Sequence, residues 1–467
     1  TDPSIIYLLK NDPAQKKCVF LKSTNHGRDF SPKESGWYAS SHPDRRDDGA
    51  RMTVTPAAPD RVYVVLIGAS KPGDNGFIGV YMSITAGESW ALPNSPAGGP
   101  YTNTHPNLVT LNNNNTLYQG YYNLGIAASH TNPDHVLIGG LNLWKTENGA
   151  QTFTPLGGYQ GNVPWIHPDQ QEILVLGNDM WVANDGGINY STNLFQTHES
   201  RINGLYASDF WGFGSGWNED LVVGGRYHNG NTAYRPSFPE GQFLRLGGAE
   251  APTGYVNPGI PGRAYFSDIN TQSIPNLISG EVLSFPPLSK YPSESFYAAH
   301  SSELEFDPYS YKAFYIGEGS NLWRTEDEGL SYNLVRSFGN NDQPILHIEI
   351  SRKNPAVIYV YQRSSFYNAR LWKTIDGGGT WTALDFPSAN SQRAGTMSLS
   401  ATDENTLWVA FGHQNNDGAK VFKTSDGGIS WENLSTSILN GHRIHHVFHQ
   451  AGTNNAVYLA SNFGVFY

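Results

Sequence analysis

The segment LWKTIDGGGTWTAL at residues 371–384 decides the fold, and VFKTSDGGISWENL at 421–434 repeats it. In each segment a short apolar run leads into an Asp-Gly turn, and a tryptophan begins the next apolar run. Asp accepts hydrogen bonds from turn amides, and Gly adopts the positive φ that tight turns need. Both segments are therefore predicted to be β-hairpins.

The turn follows the pattern Ser/Thr-x-Asp/Asn-x-Gly-x-x-aromatic, which we call the turn repeat. Copies begin at residues 23, 83, 146, 325, 374 and 424, and a degenerate copy begins at 191. The wide gap between 191 and 325 predicts about two further units without the turn. Apolar runs after Asp/Asn-rich turns mark ten predicted strand starts: Tyr7, Tyr63, Val136, Leu176, Val222, Ala264, Phe314, Ile358, Leu407 and Val457. Repeats of this period predict four-stranded antiparallel blades, as in an all-β propeller.

The repeated residues are predicted to be structural rather than catalytic. Thr374 and Asp376 can bond turn amides, Gly378 can take a positive φ, and Trp381 can pack between sheets. The same role is predicted for the other members of the pattern: Ser23, Asn25, Gly27, Phe30, Ser83, Gly87, Trp90, Thr146, Asn148, Phe153, Thr325, Asp327, Gly329, Tyr332, Thr424, Asp426, Gly428 and Trp431.

Composition excludes several classes of protein. The 467 residues carry a net charge of −11 without a basic block, which argues against nucleic-acid binding. No apolar run is long enough for a membrane span. Cys18 is the single cysteine, so neither a disulfide framework nor a cysteine zinc site is predicted. We expect no metal and no cofactor. The richness in Asn, Gly, Ser and Tyr favours a secreted or cell-surface protein.

The turn repeat resembles the Asp-box, or BNR repeat, of a β-propeller superfamily. That superfamily includes sialidases, two-propeller xyloglucan-active glycoside hydrolases, the sortilin ectodomain and a photosystem assembly factor. The resemblance implies blades in one large ring or in two partial seven-bladed propellers. We predict a division into residues 1–235 and 236–467, with the chain a fragment of a longer protein. Arg51 lacks the Ile-Pro that follows it in sialidases, so sialidase activity is not expected.

A narrower resemblance is to large secreted Bacteroidetes proteins that are glycosyl-hydrolase-like and use type IX secretion. It is carried by GARMTVTPAAPDRVYVV, LGIAASHTNPDHVLIGGLNLWKTENGAQTF and the ending VYLASNFGVFY. Two segments depart from that family. Gln171 stands where the family has the second His of His-x-Asp-x-His, and Arg226, Tyr227 and His228 replace Thr-Gln-Asp. The departures favour a protein without catalysis.

Candidate site residues come from polar and aromatic loops. The weak catalytic candidates are Asp169, Asp185 and Asp209. The ligand-binding candidates are Trp165, His167, Trp211, Phe213, Trp217, His228 and Asn229, because rings on glycine-rich loops can stack on sugars. Each also has a structural interpretation, as a turn residue or as packing between blades. His442, His445, His446 and His449 place two side chains on each strand face, which is too few for a metal without a carboxylate.

Two functions remain open, with a third more distant. The first is a binding module for a polysaccharide or a protein partner, working within a larger surface assembly. The second is a glycoside hydrolase that uses two carboxylates. The third is a peptide receptor like sortilin. Two carboxylates from different blades facing one aromatic-lined groove would favour the hydrolase.

Overall fold

The protein is an array of antiparallel β-sheets in a computed structural model. The structure describes residues 2–12, 14, 17–38, 46–69, 75–93, 104–111, 118–163, 166–205, 210–226, 229–247, 254–266, 270–276, 304–339, 343–363, 369–385, 395–412 and 418–467. Within these ranges there are ten sheets, each built from strands consecutive in the chain. We number them sheets 1 to 10 in chain order.

The chain forms two compact units, Thr1–Ala207 and Ser208–Tyr467. Residues 235 and 236, at the predicted division, lie within sheet 5. Sheets 1 to 4 lie in the first unit. Sheet 1 contains β1 (Ile6–Asp12), β2 (Lys17–Ser23) and β3 (Ser31–Pro32), and sheet 2 contains β4 (Arg46–Thr55), β5 (Ala58–Ala69) and β6 (Phe77–Ser83). Sheet 3 contains β7 (Gly125–Ala128), β8 (Val136–Gly139), β9 (Leu143–Thr146) and β10 (Thr154–Gly157), and sheet 4 contains β11 (Gln170–Leu176), β12 (Asp179–Asn184), β13 (Gly187–Ser191) and β14 (Glu199–Ser200).

Sheets 5 to 10 lie in the second unit. Sheet 5 contains β15 (Phe210–Ser215), β16 (Val222–Arg226), β17 (Gly230–Tyr234) and β18 (Leu244–Gly247), and sheet 6 contains β19 (Gly254–Val256), β20 (Arg263–Phe266) and β21 (Asn270–Ser273). Sheet 7 contains β22 (Leu304–Asp307), β23 (Ser310–Glu318), β24 (Asn321–Thr325) and β25 (Asn333–Ser337), and sheet 8 contains β26 (Ile345–Ile350), β27 (Ile358–Arg363), β28 (Ala369–Thr374) and β29 (Thr382–Leu384). Sheet 9 contains β30 (Gly395–Leu399), β31 (Leu407–Phe411), β32 (Val421–Thr424) and β33 (Glu432–Asn433), and sheet 10 contains β34 (Ile444–His449), β35 (Val457–Ser461) and β36 (Gly464–Phe466). A short 3₁₀ helix spans Ser437–Leu439.

The predicted all-β blade architecture is confirmed. Each of the ten predicted strand starts lies in a different sheet, and two sheets, 5 and 6, fill the gap between residues 191 and 325. Six sheets have four strands in the described ranges, and sheets 1, 2, 6 and 10 have three. In sheet 2 a single bridge from Met82 to Ala91 stands in place of a fourth strand. No helix among the described residues is long and apolar enough to cross a membrane.

Apolar side chains from neighbouring sheets of one unit form the cores. Tyr315 of sheet 7 and Ile348 of sheet 8 belong to one buried cluster, and Tyr361 of sheet 8 and Met397 of sheet 9 belong to the next. The indole of Trp381 meets the ring of Phe338 edge to face, with centroids 5.0 Å apart. Clusters shared by neighbouring sheets of one unit therefore repeat along the chain.

In the turn repeat the carboxylate fastens the hairpin. Thr374 Oγ1 donates to Asp376 Oδ1 at 2.7 Å and accepts from the Gly378 amide at 3.0 Å. Asp376 Oδ1 also accepts from the Thr380 amide at 2.9 Å. The same bonds close the copy at Thr424, and the degenerate copy at Ser191 keeps them through Asn193.

The glycine and the tryptophan of the turn repeat join neighbouring sheets. Gly378 has a φ of +103°, and a Cβ there would lie 2.6 Å from Val335 Cγ1 of sheet 7. Trp431 Nε1 donates to the carbonyl of Asp385, the residue after the last strand of sheet 8, at 3.0 Å. Trp90 Nε1 donates to the carbonyl of Lys33, the residue after the last strand of sheet 1, at 3.1 Å. These residues therefore complete hairpins and link blades.

The Asp376 carboxylate makes stability depend on pH. Bonds from the Thr380 amide and from the Thr374 and Thr380 hydroxyls lower its pKa to about 2. Since the folded pKa lies below the ordinary value, the carboxylate stabilises the fold above about pH 4. That contribution is lost as the pH falls towards 2. We expect Asp376→Asn to lower the urea midpoint at pH 6, by an amount that shrinks between pH 4 and pH 2.

The control for this pH prediction is Asp385→Asn, which changes an exposed aspartate close to the same hairpin. We expect its urea midpoint to stay near that of the wild type over the whole pH range. If the Asp376→Asn difference were the same at pH 2 as at pH 6, the carboxylate would not be the titrating group.

The charged stretch at residues 46–51 is part of a strand. Arg46–Thr55 is β4 and pairs with β5 from Arg46↔Ala69 onward. The long run APDRVYVVLIGA of β5 supplies the ladder partners of these residues. Pairing with an apolar neighbour thus outweighs the turn preference of Asp and Gly.

Candidate functional site

The predicted aspartates of the first unit bind groups close to them. Asp169 is buried at 5% exposure, and its Oδ1 accepts from Asn123 Nδ2 at 2.6 Å. Its φ is +67°, a backbone conformation suited to a turn. Asp185 Oδ1 accepts from Gln171 Nε2 at 3.0 Å. His167 Nδ1 lies 3.0 Å from the Pro168 carbonyl. Asp169, Asp185 and His167 therefore make structural contacts in and around sheet 4.

The remaining candidates are only partly described. Trp165, Asp209 and His228 lie outside the described residues, as does the side chain of Trp211. The Asn229 amide donates to the Arg226 carbonyl at 2.9 Å, which closes the β16–β17 hairpin. Phe213 is 66% exposed on β15. Trp217 lines a pocket.

That pocket lies in the second unit, with a volume of about 240 Å³. The ends of β22, β26, β30 and β34 form it, with the loops that follow three of these strands. We call it the inner-strand pocket. Its lining residues include Trp217, Glu305, Glu349, Arg352, Ser398, Ser400, His446 and Phe448.

Four lining residues hold the same position in successive sheets. The strand registers pair Glu305 with Tyr315, Glu349 with Tyr359, Ser398 with Trp408 and Phe448 with Tyr458. Each of the four stands nine positions before a predicted strand start, namely Phe314, Ile358, Leu407 or Val457. The strands that carry them contact one another in sequence, β22 with β26, β26 with β30 and β30 with β34. Two carboxylates from different sheets therefore line one pocket.

Trp217 forms an exposed part of the pocket wall. Its side chain is 70% exposed, and the Arg352 guanidinium lies over the ring at 5.9 Å. The loop that carries Trp217 is anchored by Glu219. Glu219 Oε2 pairs with Arg235 Nη2 at 2.8 Å, and Oε1 accepts from the Gly262 amide at 2.8 Å. The ring is thus held by a loop tied to sheets 5 and 6.

The histidines near the pocket differ in their contacts. His446 Nδ1 lies 3.3 Å from Thr396 Oγ1, and its ring centroid is 6.5 Å from that of His347. His449 is buried and stacks on Trp408 with centroids 4.7 Å apart. Throughout the described part of the chain no three His, Cys, Asp or Glu residues are arranged to hold a metal ion.

Sequence reasoning found Trp217 but missed Glu305 and Glu349. The nine-residue spacing was available in the sequence, but it becomes informative only once the register of the first strand is known. The distance from each lining residue to the next turn repeat varies, because the loops between the second and third strands differ in length. A search that starts from the turn repeats therefore does not align them.

Comparisons with known proteins give a partial match to a family model and matches to solved structures at low identity. Residues 320–461 match a family model, Sortilin-Vps10, described as "Sortilin, neurotensin receptor 3", over less than a third of the chain. No curated protein sequence matches the chain.

Several solved structures match the chain at low identity. A GH74 xyloglucanase from Xanthomonas campestris is 15% identical with a TM-score of 0.46, over 99% of this chain and 81% of that one. YCF48 from Cyanidioschyzon merolae is 12% identical with a TM-score of 0.32, over 73% and 93%. The Cps50 (Swd1) β-propeller domain of Myceliophteria thermophila is 9% identical with a TM-score of 0.40, over 62% and 93%. Because these identities are low, the functional proposal rests on the residues of the pocket.

Proposed function

We propose that the chain is a carbohydrate-binding β-propeller protein, secreted or displayed at a cell surface, with its ligand in the inner-strand pocket. The observation that carries the proposal is the position of Trp217, which lines the same pocket as Glu305 and Glu349. An exposed aromatic face can pack against the apolar face of a sugar ring. Carboxylates accept strong hydrogen bonds from hydroxyls, which fixes the orientation of the ligand.

Loss of the tryptophan is expected to remove most of the binding. For Trp217→Ala we expect the free energy of oligosaccharide binding to become less favourable by about 2 kcal/mol, the effect of losing a binding hot spot. Isothermal titration calorimetry with oligosaccharides chosen from a glycan array measures this loss. Tyr121→Ala is the matched control, because Tyr121 is 71% exposed and lies in the first unit. Equal affinities of the two variants would show that sugars do not bind at Trp217.

Hydrolysis of the bound glycan is the second candidate, and the placement of Glu305 and Glu349 favours it. Glycosidases use one carboxyl as the acid and a second as the base or nucleophile. Release of reducing ends from a panel of plant, algal and bacterial polysaccharides tests the reaction. If Glu305→Gln and Glu349→Gln each abolish release but still bind the glycan, the pair is catalytic. A folded wild-type protein that binds glycan without releasing reducing ends is a binding module.

A peptide ligand is the third candidate, and the match of residues 320–461 to the sortilin family model supports it. The pocket lies within sheets that this segment helps to build. Peptides that bind the wild type and are displaced by no oligosaccharide would favour this reading over the carbohydrate.

A further inference from the structure

We propose that one face of sheet 5 is a binding site for a tetrahedral oxyanion, a phosphate or a sulfate group, held between Arg226 and Arg245. Neither arginine lines the inner-strand pocket, so this site is separate from the proposed carbohydrate site and does not depend on it. The proposal follows from the strand register, from the burial of Arg226 and from the charges around it.

The strand register places both arginines on the same face of sheet 5. Arg226 of β16 pairs with Gly230 of β17, whereas Thr232 of β17 pairs with Gly224 on one side and with Arg245 of β18 on the other. Directly paired residues, and residues two apart along a strand, project to the same face. Strand spacing and rise put the two arginine Cα atoms about 12 Å apart. Two long arginine side chains can therefore reach one small ligand between them.

The Arg226 guanidinium is half-buried and only partly hydrogen-bonded. Its Nη2 donates to the Asn229 carbonyl at 3.2 Å, whereas its Nε is buried and has no acceptor among the described residues. On the β15 side, a Cβ on Gly224 would lie 2.9 Å from the Phe210 ring and 3.1 Å from Phe213 Cβ. These two side chains cover the sheet beside Arg226. A buried donor without an acceptor costs free energy, which an oxygen of a bound anion would recover.

The charges around the two arginines also favour an anion. In the described part of the chain neither guanidinium forms an ion pair with a carboxylate. Burial and the positive charge of Arg245 both lower the pKa of Arg226. Glu219, on the turn before β16, is already bound by Arg235 and by the Gly262 amide. Because neighbouring like charges are unfavourable, an anion between the two arginines would relieve both the burial and the repulsion.

Two guanidiniums suit a tetrahedral oxyanion better than a single carboxylate. A guanidinium presents its N–H groups as a planar fork that matches two oxygens of an anion. The Asn229 carbonyl takes part of the Arg226 fork, and Arg245 approaches from a strand two places away. The two oxygens of a carboxylate lie in one plane, whereas those of a phosphate or a sulfate point in several directions and can serve both arginines at once.

Calorimetric titration at pH 7 with inorganic phosphate, inorganic sulfate and acetate, at constant ionic strength, tests the proposal. We expect at least one tetrahedral ion to bind the wild type more tightly than acetate. Arg226→Gln and Arg245→Gln should each weaken that binding at least about tenfold, the effect of losing charged hydrogen bonds. Arg226→Lys keeps the charge without the fork and should recover only part of the loss. Arg370→Gln, an exposed change on β28, should leave binding unchanged.

The outcomes separate the possible ligands from one another. Binding of phosphate without sulfate would support a phosphoryl group, and the reverse a sulfate ester. Binding of neither ion, equal binding by wild type and Arg226→Gln, or tighter binding of acetate would overturn the proposal.

Urea unfolding in chloride distinguishes a ligand-binding arginine from a structural one. Without a bound oxyanion, Arg226→Gln should be at least as stable as the wild type, because it removes a half-buried charge that has no counterion. A lower urea midpoint for Arg226→Gln in chloride would contradict the proposal, since Arg226 would then stabilise the fold itself. Circular dichroism of each variant shows whether it is folded.

Discussion

Replacing Glu219 with alanine is expected to lower the free energy of unfolding of the second unit by about 3–5 kcal/mol, the cost of breaking a buried ion pair. Arg235 is 9% exposed and would keep its charge without its carboxylate partner. The Gly262 amide would also lose its acceptor. Because Glu219 lies two residues after Trp217, we also expect weaker glycan binding.

Urea unfolding followed by circular dichroism measures this loss. Asp220→Ala is the control, because Asp220 is the neighbouring residue, is exposed, and differs from Glu219 by its surroundings rather than by its charge. The double variant with Arg235→Met should recover part of the loss, since no buried charge remains uncompensated. A loss in Glu219→Ala no larger than that in Asp220→Ala would mean that the contacts of the Glu219 carboxylate with Arg235 and Gly262 do not stabilise the second unit.

Gly36→Ala is expected to lower the free energy of unfolding of the first unit by about 2–5 kcal/mol. The alanine would have to adopt a left-handed backbone conformation, and its Cβ would overpack the site. The φ of Gly36 is +75°, and a Cβ there would lie 2.0 Å from the Trp90 carbonyl oxygen. That oxygen belongs to the backbone and cannot rotate away. The Trp90 amide donates to the Ser35 carbonyl at 2.8 Å, so a shift would also break the link between sheets 1 and 2.

Gly177→Ala separates the two costs. Gly177 has a φ of +64°, but a Cβ there meets nothing within 4 Å. We expect it to show only the conformational cost, about 1–2 kcal/mol. Thermal unfolding of both variants measures the difference. If they were equally destabilised, the contact with Trp90 would carry no penalty.

The sequence predicted the fold because local chemistry repeats. The hydroxyl, carboxylate and glycine of the turns at Thr374 and Thr424 fix a hairpin through bonds within eight residues, so the pattern is readable without long-range information. The degenerate copy at Ser191 has Phe195 and His198 in place of the glycine and the aromatic residue, yet its hydrogen bonds through Asn193 survive. Sheets 5 and 6 have no such turn, yet their apolar runs marked the strands.

The site was much less predictable. Asp169 was predicted as a weak catalytic candidate and His167 as a ligand-binding candidate, but their partners are a buried amide and a backbone carbonyl. Glu305 and Glu349 have no unusual neighbours in the sequence, and each lies in an ordinary alternating strand. Their meeting depends on which sheets are adjacent and on strand register, neither of which a single sequence states directly.

The common register of Glu305, Glu349, Ser398 and Phe448 has a consequence for how ligand preference can change. Glu305 and Glu349 are half-buried and Phe448 is exposed, whereas Ser398 is buried and its Oγ accepts from the His449 amide at 3.0 Å. The three accessible side chains can therefore be exchanged without repacking the apolar clusters beneath the strands. The chain offers three replaceable contact positions on a constant framework, and a combinatorial library at these three sites should yield mostly folded proteins with altered ligand spectra.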